Sequence, residues 1–268
     1  MSKLNVNAIE PSTGTDITLG ASGDTTTVPS GATIVNSGTD TGFGAALTGS
    51  TNNTVTTVTA ANAITGEAKL LFDPAKLTIG NASEEDTSIV FDGNAQDYYI
   101  GLDDTDDDLK IGLGSAVGTT SHMVFDETGA ITKPLQPAFY ATLSASVDPV
   151  SASDYNPIFN NEIFDNNADY NTTNYTFTAP VTGRYLLVSA IRGYAVTTSF
   201  SIAHTIVSSN RNYTSSVGRF YGDEYLCTIV ALADMDASDT AIVLVNTNES
   251  SFYITGGTYS YFHGHLVC

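Results

Sequence analysis

"YNTTNYTFTAPVTGRYLLVSAI", residues 170–191, contains two strand patterns and the turn between them. Tyr and Thr alternate with smaller residues in the first half, as half-exposed strands do. Pro180-Val181-Thr182-Gly183 then reads as a turn. From Tyr185 to Ile191 almost nothing is polar, and Ala241 to Val245 ("AIVLV") repeats that character. A strand with one wet face alternates, whereas a near-continuous apolar run needs cover on both faces. In a two-layer sandwich the core covers one face. A second subunit is the economical cover for the other.

The rest of the chain agrees with strands. Its 268 residues carry a formal net charge of −20, a pI near 4.1 and only 14% charged side chains. Polarity comes from Thr, Ser, Asn and Gly, which suit pleated surfaces and turns, so the expected class is all-β. Such acidity disfavours phosphate backbones and anionic bilayers, so neither nucleic acid nor membrane is an expected partner. "MSKLNVNAIEP" lacks the apolar core of a signal peptide, and no run reaches the length of a membrane span. Cys227 and Cys268 are too few for a disulfide framework, and Cys227 inside "YLCTIVAL" is expected as a buried free thiol.

Three zones follow along the chain. Residues 1–60 are low in complexity, with one aromatic residue, Phe43, and cannot form a core of their own. Residues 61–133 carry echoes: "LLFD" (70–73), "IVFD" (89–92) and "MVFD" (123–126), and "LTIG" (77–80) and "LKIG" (109–112), matched by "ITLG" at 17–20. Each reads as a short strand ending in a turn residue. Strands this short bury little alone, and stacking around a threefold axis would let each chain supply one side of a shared core. Residues 134–268 follow the hinge "KPLQP" (133–137) and hold most of the aromatic residues, in runs that indicate an antiparallel sandwich.

"PAFYATLS" (137–144), "FNNEIFDNNADYNTTNYTFTAPVTGRYLLVSAI" (159–191), "SDTAIVLVN" (238–246) and "YFHGHLV" (261–267) together resemble the globular heads of the C1q and tumour necrosis factor-like jelly rolls. The resemblance implies a ten-stranded jelly roll assembled as a homotrimer. Tyr185, Leu187, Ile191, Val243, Val245 and Phe262 are the expected core and trimer-interface residues. The N-terminal stretch is similar to fibre proteins of marine bacteriophages, and "DYYIGLDDTDDDLKIGLGS" (97–115) with "MVFDETGAI" resembles a phage fibre-shaft module. These likenesses imply a virion fibre, assembled in a bacterial cytoplasm. Residues 1–60 would anchor to other virion proteins of tail or capsid, 61–133 would form a trimeric shaft, and the head would meet a bacterial surface receptor, a glycan or an outer-membrane protein. A capsid fibre or decoration protein and a bacterial surface adhesin are the alternatives.

Candidate chemistry is sparse. Asp104, Asp106 and Asp108 alternate like the start of a calcium loop, but Leu109 and Ser115 stand where that loop needs Gly and Glu. An acidic turn is the expectation, with a structural divalent cation as the minor alternative and no other cofactor. His122, His204, His263 and His265 lack neighbouring ligands at metal spacing, although His263 and His265 share a strand face. No nucleophile elbow, phosphate loop or metalloprotease motif is present, so no catalytic residue is expected. Recognition is assigned to Arg–Tyr neighbours of the head: Arg192 with Tyr194, Arg211 with Tyr213, Arg219 with Tyr221.

Overall fold

The computed structural model describes residues 46–48, 54–60, 63–73, 75–150, 153–195, 199–221, 224–248 and 252–268. Side chains fall outside that description at 148–150, 199, 216–221 and over most of 46–74. Of the expected anchor, residues 1–60, positions 1–45 and 49–53, including "ITLG" at 17–20, lie outside the described residues. Every regular element described is a strand. The chain divides into compact units at 1–78 and 79–268, where sequence suggested breaks after 60 and 133.

In the first unit β1 (Ala46–Thr48) and β2 (Thr54–Ala60) flank β3 (Ala63–Asp73), and β4 (Lys76–Ile79) also pairs with β3. "LLFD" closes β3, and "LTIG" ends β4 at a glycine with φ of +104°.

The second unit opens with an antiparallel meander: β5 (Thr87–Phe91), β6 (Tyr98–Asp103), β7 (Asp108–Leu113), β8 (Ser121–Phe125) and β9 (Ile131–Thr132). "IVFD" closes β5 and "MVFD" closes β8, where Asp126 Oδ1 accepts the Thr128 amide at 2.7 Å. "LKIG" departs from the expected pattern, because Gly112 lies inside β7. A Cβ there would stand 2.4 Å from the Tyr99 hydroxyl and 2.2 Å from the Thr120 carbonyl oxygen. The glycine makes room for Tyr99, which is fully buried under the 114–120 segment and accepts the Gly118 amide.

The jelly roll follows. Its strands are β10 (Ala138–Leu143), β11 (Val147–Val150), β12 (Asn161–Asp165), β13 (Tyr170–Asn171), β14 (Thr176–Thr178), β15 (Gly183–Ala195), β16 (Ser199–Ser208), β17 (Asn212–Tyr221), β18 (Glu224–Met235), β19 (Thr240–Thr247), β20 (Phe252–Ile254) and β21 (Gly257–Leu266). One sheet runs β11-β20-β15-β21-β10-β12, with β18 along the other edge of β15; the second runs β13-β14-β19-β16-β17. The short β11, β13 and β20 raise the count above the ten strands expected. Asp165 closes the corner before β13, its carboxylate taking the amides of Asp169 and Tyr170. After β14 the expected turn is pinned by Ala179, which exchanges backbone bonds with Ser238 and Asp239, and Tyr185 donates its hydroxyl back to Val181.

The core is an aromatic stack between the sheets. Phe139 lies between Tyr170 and Phe177, with centroids 4.9 and 4.7 Å away, and meets Phe262 edge-on. All six expected core or interface residues, Tyr185, Leu187, Ile191, Val243, Val245 and Phe262, are buried here within one chain. Their assignment to an interface is therefore corrected. Odd-numbered positions of β15 face the core, while Leu186, Val188 and Ala190 point the other way. Cys227 is half-buried against this core rather than fully buried.

Leu187→Asp puts an unpaired carboxylate between the sheets and is expected to unfold the head rather than release folded chains. Loss of the cooperative thermal transition would show this. A folded, soluble monomer of that variant would contradict the strand's facing.

Candidate functional site

Register defines the outward face of the larger sheet. Across β10, β21, β15 and β18, one row reads Ala138, His265, Leu186, Leu232, and the next reads Tyr140, His263, Val188, Val230. Phe164 of β12 extends the second row and stacks on Tyr140. Toward the end of β15 away from Ala138 the rows turn polar. Arg192 stands beside Leu226, and Tyr194 lies between Glu224 and Tyr253. Leu226, Val230 and Leu232 are 65%, 62% and 56% exposed in the single chain. Apolar residues on both faces of β15 and β18 are what the unalternating runs require.

The polar end is a built arrangement. Arg192 Nε donates to Glu224 Oε1 at 2.6 Å, and its guanidinium carbon lies 4.2 Å over the Tyr259 ring. Ser260, fully buried, accepts the Arg192 amide and holds the strand there. Glu224 raises the guanidinium's pKa, so it stays charged. Tyr194 and Tyr253 stack at 4.8 Å with planes 7° apart. Arg192, Glu224, Leu226 and Tyr259 line an open groove of about 640 Å³. Flat aromatic faces beside a paired guanidinium and carboxylate can stack on a ligand and hydrogen-bond its edge.

The Arg–Tyr neighbours do not form one surface. Arg211 is exposed in the turn after Ser208, whose neighbour Asn210 donates to the Asp234 carbonyl. Asp234 pairs with Arg184, at the opposite end of β15 from Arg192 and about 26 Å away along the strand. Tyr213 is set opposite Ile206, which is buried, and packs against the core, so its ring is structural. The side chains of Arg219 and Tyr221 lie outside the described residues. Glu224, Tyr253 and Tyr259 were not anticipated, since each joins the site through pairing with a distant strand.

The acidic turn also rearranges. Asp104, Asp106 and Asp108 are not brought together. Lys110, buried on β7, donates to Asp103 at 2.7 Å and to Asp106 at 2.5 Å. Its ammonium holds the Asp103 carboxyl below the usual carboxylate range. Asp108 instead meets Asp126 and Glu127, with three carboxylate oxygens within 4.8 Å. That falls short of the roughly six to eight oxygens calcium takes.

Among the histidines, His263 and His265 both point outward, and burial followed by its neighbour's charge lowers the His263 pKa. His122 meets Tyr98 edge-on in the meander. His204 is different: it is fully buried, with Nε2 3.0 Å from Ser189 Oγ. The spacing is that of a nucleophile and its base, but both residues are sealed between the sheets. Nδ1 has no partner among the described residues, and burial depresses the ring's pKa from 6.5 to about 4.

Between those values the unfolded chain binds a proton that the folded chain does not. Stability from this group is therefore complete above about pH 6.5, falls as pH drops toward 4, and changes no further below. The depth is roughly 3 kcal/mol. Urea unfolding from pH 7 to 4 should show a steeper loss for the native chain than for His204→Gln. Parallel curves would contradict the assignment.

Residues 138–267 match the C1q domain family. No curated protein matches the chain. Similar solved structures include the globular domain of zebrafish complement 1qA protein, at 16% identity and a TM-score of 0.38, covering 50% of this chain and 98% of that one. Eiger TNF from S. frugiperda has 12% identity and a TM-score of 0.36, covering 50% and 92%. Murine APRIL has 11% identity and a TM-score of 0.36, covering 49% and 99%.

Proposed function

We propose, from the premise that residues 138–267 are a C1q/TNF-like domain, that the protein is a homotrimeric fibre of a phage virion whose head attaches to the host surface. The observation that carries the trimer is the outward face of the larger sheet. Leu186, Val188, Val230 and Leu232 form an apolar field there that one chain leaves open. Domains of this family are typically homotrimers, and the same face on two more copies would cover the field. Residues 1–60 anchor the fibre to tail or capsid, and 61–133 form the shaft, a reading supported by the likeness of those segments to phage fibre proteins.

Attachment works by multiplicity. The Arg192, Tyr194, Tyr253 and Tyr259 cluster offers one weak site per chain, repeated three times on a rigid head. Effective concentration at the cell surface then raises the overall affinity. Three chains carry −60 in total, three times the −20 of one chain, so contact with an acidic envelope must be short-ranged. Stacking and local hydrogen bonds meet that condition, with a bacterial glycan or an outer-membrane protein as the partner.

Fluorescently labelled full-length protein should bind intact host cells. Tyr194→Ala is expected to reduce that binding roughly tenfold or more, since each lost site counts three times. Arg211→Ala, at the other end of the head, should leave it unchanged. Undiminished binding by Tyr194→Ala, or none by the native chain to any candidate host, would contradict the reading.

A further inference from the structure

The meander β5–β9 has its polarity inside out for a sheet packed on its own chain. Its covered face holds Tyr99 and the Lys110–Asp103 ion pair under the 114–120 segment. The opposite face is apolar on all five strands. Ile89, Ile100, Ile111 and Met123 form one cross-strand row, and Leu102 pairs with Leu109 beside it. Ile89, Ile100, Leu102 and Leu109 are exposed, between 38% and 46%. No charged residue occupies a paired position on this face, although the chain is strongly acidic.

We propose that this face is the assembly surface of the shaft, and that its occupant is the same face of two further copies of the chain. The number of copies rests on the trimeric reading of the head. The choice of occupant follows from charge, area and proximity. Charge depletion marks the core of protein interfaces, and here it removes the repulsion that acidic copies would otherwise meet. Five strands of about five residues present roughly 400 Å² per chain. Three such faces bury about 1,200 Å² in total, about 400 Å² for each pair of chains, which is below the size of a stable two-chain interface. An area that is too small by itself becomes sufficient once the attached heads hold the copies together at high local concentration. The ion pair on the other face is explained as well, because the chain's own 114–120 segment closes that side and leaves the apolar side for other chains.

Site-directed cross-linking of the full chain tests this. In a background with Cys227→Ser and Cys268→Ser, single substitutions Ile100→Cys, Leu109→Cys, Val90→Cys and Val230→Cys would be treated with a bis-maleimide spanning about 10 Å, the distance between packed sheets. Covalent dimers, the largest product that one cysteine per chain and a two-headed reagent can give, are expected from Ile100→Cys or Leu109→Cys, two positions guarding against one that misfolds. Val90→Cys, on the covered side of the meander, should stay monomeric, and Val230→Cys should cross-link through the head. Cross-links at Val230 with none at Ile100 or Leu109, or cross-links at Val90 alone within the meander, would overturn the shaft proposal and leave the head's assembly standing. No cross-links at any position would overturn both.

Discussion

A strand has two faces, and β15 at the heart of the larger sheet makes both of them apolar. One face, through Tyr185, Leu187 and Ile191, seals the aromatic core around Phe139. The other, through Leu186 and Val188, joins Val230 and Leu232 in a field that a lone chain exposes. Fully burying a Val or Leu side chain contributes about 1.5–3 kcal/mol. The inner set is satisfied when the chain folds, whereas the outer set can be satisfied only by another surface. The rest of the head is arranged around that division. The Arg192–Glu224 pair and the stacked tyrosines stand at one end of that outward face, and the inward-facing Ser189 and His204 bond to each other.

The meander states the same constraint in a second form. Its ion pair is inside and its isoleucines are outside, the reverse of a soluble monomer's sheet. Burying a lysine is costly unless it is paired, and Asp103 and Asp106 supply the pairing. Two unlike sheets in one compact unit each leave an apolar face open. The proposed trimer accounts for both faces with a single arrangement, which a foreign partner for each would not do.

Much of the head was legible in the sequence because its signals are local. "TFTAPVTGRY" places a turn between two strands, and the turn forms where expected, with Phe177, Ala179 and Tyr185 pointing into the core. Which face of β15 meets the core was not legible from a run apolar on both sides. The period-two rule gives two sets of residues and cannot say which is inner. The proposed recognition cluster was half legible for a related reason. Arg192 and Tyr194 share a face by spacing alone, but Glu224 is 32 residues away, and only the β15–β18 register brings it into contact. Tyr213 misled because an aromatic beside an arginine in a Ser-Asn loop looks exposed, while its strand parity turns the ring inward. Lys110 left a signal that could have been used. It is the only Lys or Arg between Lys76 and Lys133, in a stretch rich in Asp, and a lone cation there is a natural partner for a buried carboxylate.

The most direct test is the mass of the full chain in solution by light scattering, compared with the same chain carrying Val230→Asp. The account predicts three times the 28.1 kDa of one chain for the native protein. It predicts a lower mass, with strand content retained, for the variant, because the new charge lies on the outward face and away from the core. A native chain that stays monomeric at micromolar concentration would contradict it, and so would a trimer unaffected by a carboxylate at Val230.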